Sequence, residues 1–77
     1  MNRLGQHFLT NADVLRKIAR IIVRDGGPII EIGPGHGELT KILLASPDIP
    51  RLIAIERDPA LATALEKTFE TESRFTL

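Results

Sequence analysis

The chain has no cysteine, which excludes a disulfide framework and a thiolate metal site. Its two histidines, His7 and His36, have no third ligand at a suitable spacing, so no metal is expected. No serine–histidine or cysteine–histidine arrangement suggests a nucleophile, and no residue present is expected to be catalytic. The apolar runs fall far short of the roughly 20 residues that span a bilayer, so no membrane partner is expected. Met1-Asn2-Arg3-Leu4-Gly5-Gln6 lacks the basic-then-apolar pattern of a secretory signal, which makes a cytoplasmic protein the default. Net charge is zero as well, yet it is unevenly spread. Residues 1–24 carry a balance of +4 and residues 25–77 a balance of −4. Such asymmetry has two readings, a solvated helix face or a surface for an anionic partner.

What is present is an ordinary globular composition, 43% hydrophobic and 26% charged. Seventy-seven residues make at most one small domain. A chain of this size buries only roughly 60% of its unfolded surface, so a fold formed alone is marginal.

The centre of the sequence is Ile29-Ile30-Glu31-Ile32-Gly33-Pro34-Gly35-His36-Gly37-Glu38-Leu39-Thr40. Its β-branched opening predicts a buried strand. Three alternating glycines follow, then a helix-spaced segment with Leu39, Ile42 and Leu43, running to about Ala45 and stopped by Ser46-Pro47. A strand that ends in a glycine turn and feeds a helix is a ligand-binding corner of an open α/β sheet. Upstream, Val14, Leu15, Ile18, Ile21 and Ile22 predict the apolar face of a helix over 11–24, with Thr10 as N-cap and Asp13 completing an acidic capping box. Arg16, Arg20 and Arg24 form an i, i+4, i+8 row on another face, and Asp25-Gly26-Gly27-Pro28 ends the helix. Downstream, Leu52 to Ile55 is a second strand, Asp58 caps a third helix with Pro59 at its first position, and Arg74 to Leu77 starts a third strand. The order helix, strand, helix, strand, helix, partial strand is α/β and implies a parallel sheet. Parallel strands need cover on both faces, and two and a half of them look like the N-terminal part of a larger domain.

Two ligand classes use such a corner. Dinucleotides use G-x-G-x-x-G, with the pyrophosphate at the helix N-terminus. Here the glycines stand at 33, 35 and 37, and Glu38 places a carboxylate in the first turn, where it repels phosphate. A phosphate-free cofactor with a cationic centre, S-adenosyl-L-methionine, suits the corner better. Glu56, at the end of the second strand, can accept hydrogen bonds from both hydroxyls of a ribose, which supports a nucleoside without separating the two classes. Asp58 reads as a helix cap. Glu31, inside the first strand, either faces the cofactor pocket or forms a structural ion pair, because an unpartnered buried carboxylate is costly. His36 reads as an exposed loop residue. Phe8 and Leu9 read, on the residues alone, as a hydrophobic plug anchoring the tail.

Gly5-Gln6-His7-Phe8-Leu9, the Glu31 to Thr40 corner and Ile55-Glu56-Arg57-Asp58 together resemble the ribosomal RNA adenine-N6 dimethyltransferase family. That family includes the small-subunit rRNA dimethyltransferases, the macrolide-resistance methyltransferases and the mitochondrial transcription factor B proteins. The resemblance implies the N-terminal part of a Rossmann-like class I methyltransferase sheet, with 1–77 an incomplete S-adenosylmethionine-binding domain. Within it, 1–10 would be a pre-helix cofactor box, 11–24 a helix, and 29–77 the βαβα core with the start of the third strand. It implies that His7 and Leu9 touch the methionine end of the cofactor, that Gly33 and Gly35 pass under it, and that Glu56 holds its ribose. The implied activity is N6-dimethylation of ribosomal RNA adenines in ribosome biogenesis, by a monomer whose partner is the small ribosomal subunit. The Arg16/Lys17/Arg20/Arg24 cluster would then offer phosphate contacts to rRNA.

The family pattern also has an acid after the third strand for the cofactor's adenine, an Asn-x-Pro-Tyr/Phe box for the target base, and a small C-terminal helical domain. None of these lies within Met1 to Leu77, so this chain alone is expected not to methylate. Two competing readings are a non-catalytic RNA-binding relative and an NAD-dependent oxidoreductase. The second is disfavoured by Glu38 and the Gln-x-Phe-Leu box.

Overall fold

The computed structural model describes residues 11–77. Thr10 and the 1–10 segment, including His7 and Leu9, lie outside the described residues.

Helix α1 spans Ala12–Arg24, and its N-cap is Asn11 rather than Thr10. Asn11 is extended, and its Oδ1 accepts from Val14 N at 3.1 Å while its carbonyl accepts from Leu15 N at 3.0 Å. Asparagine caps at least as well as threonine does, and starting one residue later puts Val14, not Asp13, at the position a capping box would need. Asp13 instead sits in the first turn and lies 3.5 Å from Arg16. The buried stripe of α1 is centred on Leu15 and Ala19, flanked by half-buried Ile22 and Val23. Ile21, expected on that face, is exposed. At about 100° per residue it falls well round the helix from Ala19. Gly26, at φ 75, accepts the left-handed geometry that takes the chain out of the helix.

Strand β1 (Ile29–Ile32), helix α2 (Glu38–Leu44), strand β2 (Leu52–Ile55), helix α3 (Pro59–Thr68) and strand β3 (Phe75–Thr76) follow. The sheet is parallel in the order β1-β2-β3, with Ile29 opposite Leu52, Ile32 opposite Ile55, and Leu52 opposite Phe75. The sequence-predicted α/β order of elements is therefore present, and β2 stands between the other two strands. Asp58 caps α3 as expected, accepting from Ala60 N at 2.9 Å and Leu61 N at 3.4 Å, with Pro59 at the start of the helix.

The core joins Ala19 of α1, Leu43 and Leu44 of α2, Ile49, and Leu52 and Ala54 of β2. Phe69 and Phe75 pack beside it, with ring centroids 5.0 Å apart. Because successive strand residues point to opposite faces, only one face of the sheet meets these helices. The expectation of fully buried strands is corrected on the other face, where Ile30, Ile32 and Ile55 are 66%, 79% and 54% exposed. A run of β-branched residues reports that a strand suits burial on both faces, whereas actual burial depends on what packs against each face. Among the described residues, no helix is long and apolar enough to cross a membrane.

Candidate functional site: the glycine corner

β1 leads directly into the corner. Gly33 N donates to Ile55 O at 2.8 Å, which extends the ladder by one step past the strand. The backbone then turns through three left-handed glycines, Gly33 at φ 67, Gly35 at φ 62 and Gly37 at φ 85, each in a region that costs an L-residue about 1–2 kcal/mol. Gly37 N donates to Pro34 O at 3.0 Å, and Gly37 becomes the N-cap of α2.

The three glycines differ in their surroundings. A Cβ placed on Gly33 or Gly35 would meet nothing within 4 Å, so the space beside both is open. A Cβ on Gly37 would lie 3.0 Å from Leu65 Cδ2 and 3.1 Å from Phe69 Cε2. Gly37 is therefore a packing glycine, present so that α3 can lie close against the start of α2. Gly33 and Gly35 keep a bare backbone facing free space.

Glu56 closes the corner from the β2 side. Its Oε1 accepts from Gly35 N at 3.1 Å and its Oε2 accepts from Asp58 N at 3.0 Å. The carboxylate thus ties the glycine loop to the loop leading into α3. The structure brings three of the residues singled out from the sequence, Gly33, Gly35 and Glu56, into one place. His36 is exposed on the same loop. Among the described residues, no three His, Asp or Glu side chains gather as a metal site.

Glu31 has a partner that sequence reasoning missed. The hydroxyl of Thr40, which is fully buried in α2, donates to Glu31 Oε1 at 2.5 Å. The expected ion-pair alternative is corrected, since no basic side chain among the described residues pairs with Glu31. Its signal was present in the sequence: Thr40 lies three residues before Leu43, on the inward face of the same helix. Burial raises the Glu31 pKa, and the Thr40 hydrogen bond offsets this only in part. A carboxyl whose pKa is raised on folding favours the fold below its unfolded value near 4.3 and opposes it as pH climbs through the raised value. Glu31→Gln keeps an acceptor for Thr40 without the charge. It is therefore expected to melt higher than the parent chain at pH 8, with the difference closing toward pH 4. Thermal melts across that range check this, and a lower melting temperature at pH 8 would count against it.

A parallel sheet whose first strand ends in an open glycine turn, held by an acid from the end of the second strand, defines the Rossmann-like α/β class. The same fold occurs in a Staphylococcus aureus structure described as a caffeoyl-CoA O-methyltransferase. That structure matches with a TM-score of 0.58 at 22% identity, over 95% of this chain and 45% of that one. A family model for ribosomal RNA adenine dimethylase matches residues 1–77, and the chain belongs to that family. Among curated relatives, ribosomal RNA small subunit methyltransferase A of Pseudomonas aeruginosa is 47% identical over 76 residues, covering 97% of this chain and 28% of that protein. The protein of the same name from Acidothermus cellulolyticus is 49% identical over 65 residues, covering 83% of this chain and 22% of that protein. The one from Prochlorococcus marinus is 43% identical over 76 residues, covering 97% and 27%. The chain thus spans about a quarter of the length of these relatives.

Proposed function

We propose that this chain is the cofactor-binding part of an S-adenosyl-L-methionine-dependent ribosomal RNA adenine-N6 dimethyltransferase that acts on small-subunit rRNA in the cytoplasm. The observation that carries this reading is the pairing of Glu56 with the open glycines. A carboxylate has about four acceptor sites, and Glu56 uses one on each oxygen for Gly35 N and Asp58 N. Acceptor capacity remains on both oxygens for the two hydroxyls of a ribose. The backbone at Gly33 and Gly35 presents no side chain to hold a nucleoside away.

The fit extends to charge. Glu38 opens α2, a helix of seven residues, where a dinucleotide would seat its pyrophosphate. That carboxylate opposes a phosphate and suits a sulfonium. When bound, the cofactor supplies an activated methyl group. This chain's part is to hold the ribose through Glu56 and to carry the nucleoside across Gly33 and Gly35; the family resemblance assigns His7 and Leu9 to the methionine end. Positioning of this kind, rather than a protein nucleophile, is how such a site lowers a barrier.

The test is a melt with S-adenosylhomocysteine against NAD. At a hundredfold excess over Kd, a ligand bound only by the folded state stabilises it by about 2.7 kcal/mol. For a domain of this size that is on the order of 10 °C. S-Adenosylhomocysteine is expected to raise the melting temperature, NAD to leave it unchanged, and Glu56→Ala to lose the response. A rise with NAD alone would overturn the assignment.

A further inference from the structure

A groove of about 830 Å³ runs between α1 and α2, away from the side chains that form the glycine corner. Its floor is apolar, made by Ala19, Val23 and Ile42, and one rim is the row Arg16, Arg20 and Arg24. These arginines recur every four residues, about 6 Å apart along the helix axis, close to the spacing of successive phosphates on one strand. Lys17, grouped with them on sequence grounds, does not line the groove. The sole acid in the lining is Asp48, on the opposite rim beside Ser46.

The guanidinium groups are available. Among the described residues, Arg20 and Arg24 make no ion pair, and Arg16 has only a 3.5 Å contact with Asp13, whose side chain is 89% exposed. An exposed pair of that kind contributes at most about 1 kcal/mol and does not hold Arg16 from another anion. A rim of three cations above an apolar floor matches a polymer that alternates anionic links with flat, largely apolar rings. Guanidinium suits the links because its planar fork engages two phosphate oxygens at once.

We infer that this groove seats the sugar–phosphate backbone of single-stranded RNA, with Arg16, Arg20 and Arg24 on successive phosphates and the Ala19/Val23/Ile42 floor under a sugar or base face. The choice of RNA over other polyanions rests on the family reading above; the groove and its charge do not. The site lies apart from the cofactor corner and gives the chain a second, cofactor-independent contact with its substrate class.

The experiment is fluorescence anisotropy of a short labelled single-stranded RNA with the full chain, titrated at several potassium chloride concentrations. Each neutralised phosphate contributes about 0.7 to the slope of log K against log salt for single strands. The triple variant Arg16→Gln/Arg20→Gln/Arg24→Gln, all exposed positions, is expected to flatten that slope by about 2. Arg51→Gln and Lys67→Gln should leave it unchanged. Inorganic polyphosphate should compete poorly, since it offers nothing to the floor. No binding by the parent chain, a slope unchanged in the triple variant, or polyphosphate competing as well as RNA would each overturn the proposal. No cofactor is present in the titration, so its failure would leave the S-adenosylhomocysteine melt untouched. Loss of that melt response would equally leave the salt slope untouched.

Discussion

Gly37→Ala is expected to lower the melting temperature by on the order of 10 °C or more. Two costs fall on the same atom. The residue would hold a left-handed φ of 85, which disfavours an L-side chain by about 1–2 kcal/mol. Its Cβ would also press on Leu65 and Phe69 at 3.0 and 3.1 Å. Leu65 is 2% exposed, so it has little room to withdraw, and overpacking of this kind costs about 1–3 kcal/mol. Domain stabilities run at roughly 0.05–0.15 kcal/mol per residue, so the combined loss consumes much of what a chain this short has. Gly35→Ala meets the φ penalty without the clash. It is expected to remain folded and to lose its response to S-adenosylhomocysteine, because its methyl enters the open space the nucleoside would use. Thermal melts followed by far-UV circular dichroism separate the two. A Gly37→Ala that melts as the parent does, or a Gly35→Ala that responds as the parent does, would contradict the division of labour among the glycines.

Arg74→Ala is the second large effect, with a fall in melting temperature expected on the order of 10 °C. Arg74 Nη1 donates to Ser46 O at 2.7 Å and Ile49 O at 3.0 Å, and Nη2 donates to Leu44 O at 2.5 Å. The last carbonyls of any helix lack intrahelical donors, and here one guanidinium serves the end of α2 and the loop after it. Glu72 accepts from Nε at 3.0 Å and Nη2 at 2.9 Å, which orients the fork. The Arg74 hydrogen bonds in turn hold the Glu72 carboxyl below its ordinary pKa. That depressed value means the support from Glu72 is present above its unfolded pKa and is lost as pH falls through the folded one. Alanine would leave three carbonyls to find other donors, and Ile49, one of their bearers, has its side chain in the core. Lysine has a single ammonium and cannot reproduce the fan of donors, so Arg74→Lys should recover only part of the loss. Glu72→Gln leaves the carbonyl contacts in place and should cost much less. An Arg74→Ala chain melting within a few degrees of the parent would remove this account.

These two positions mark the limit of what was legible in the sequence. The element order, the Asp58 cap, Pro59 at the head of α3 and the glycine turn after β1 all follow from chemistry within four or five residues. They stand in the structure where local rules put them. Arg74 donates to carbonyls 25 to 30 residues back along the chain, and no local pattern announces such a reach. Glu31 and Thr40 meet across a strand–turn–helix unit, which becomes visible only once the pleat of β1 and the inward face of α2 are known together. Asn11 is the cap rather than Thr10, in keeping with asparagine's place above threonine as an N-cap, a difference too small to decide between adjacent residues from the sequence. Ile30 and Ile32 looked buried because β-branched residues suit a covered strand, although cover itself is a tertiary property. At the corner, Gly33, Gly35 and Glu56 were legible as a group. The hydrogen bonds that Glu56 makes to two separate loops were not.

Those hydrogen bonds bear on the thermodynamics of recognition. Because Glu56 already fastens the turn after β1 to the turn after β2, both loops are fixed at the stage of folding rather than on ligand arrival. Ordering of mobile segments is among the larger entropic costs of association, and a preorganised receptor avoids it. The corner should therefore accept a nucleoside with little rearrangement of its backbone, and the heat of that encounter should reflect the new contacts rather than the making of the site.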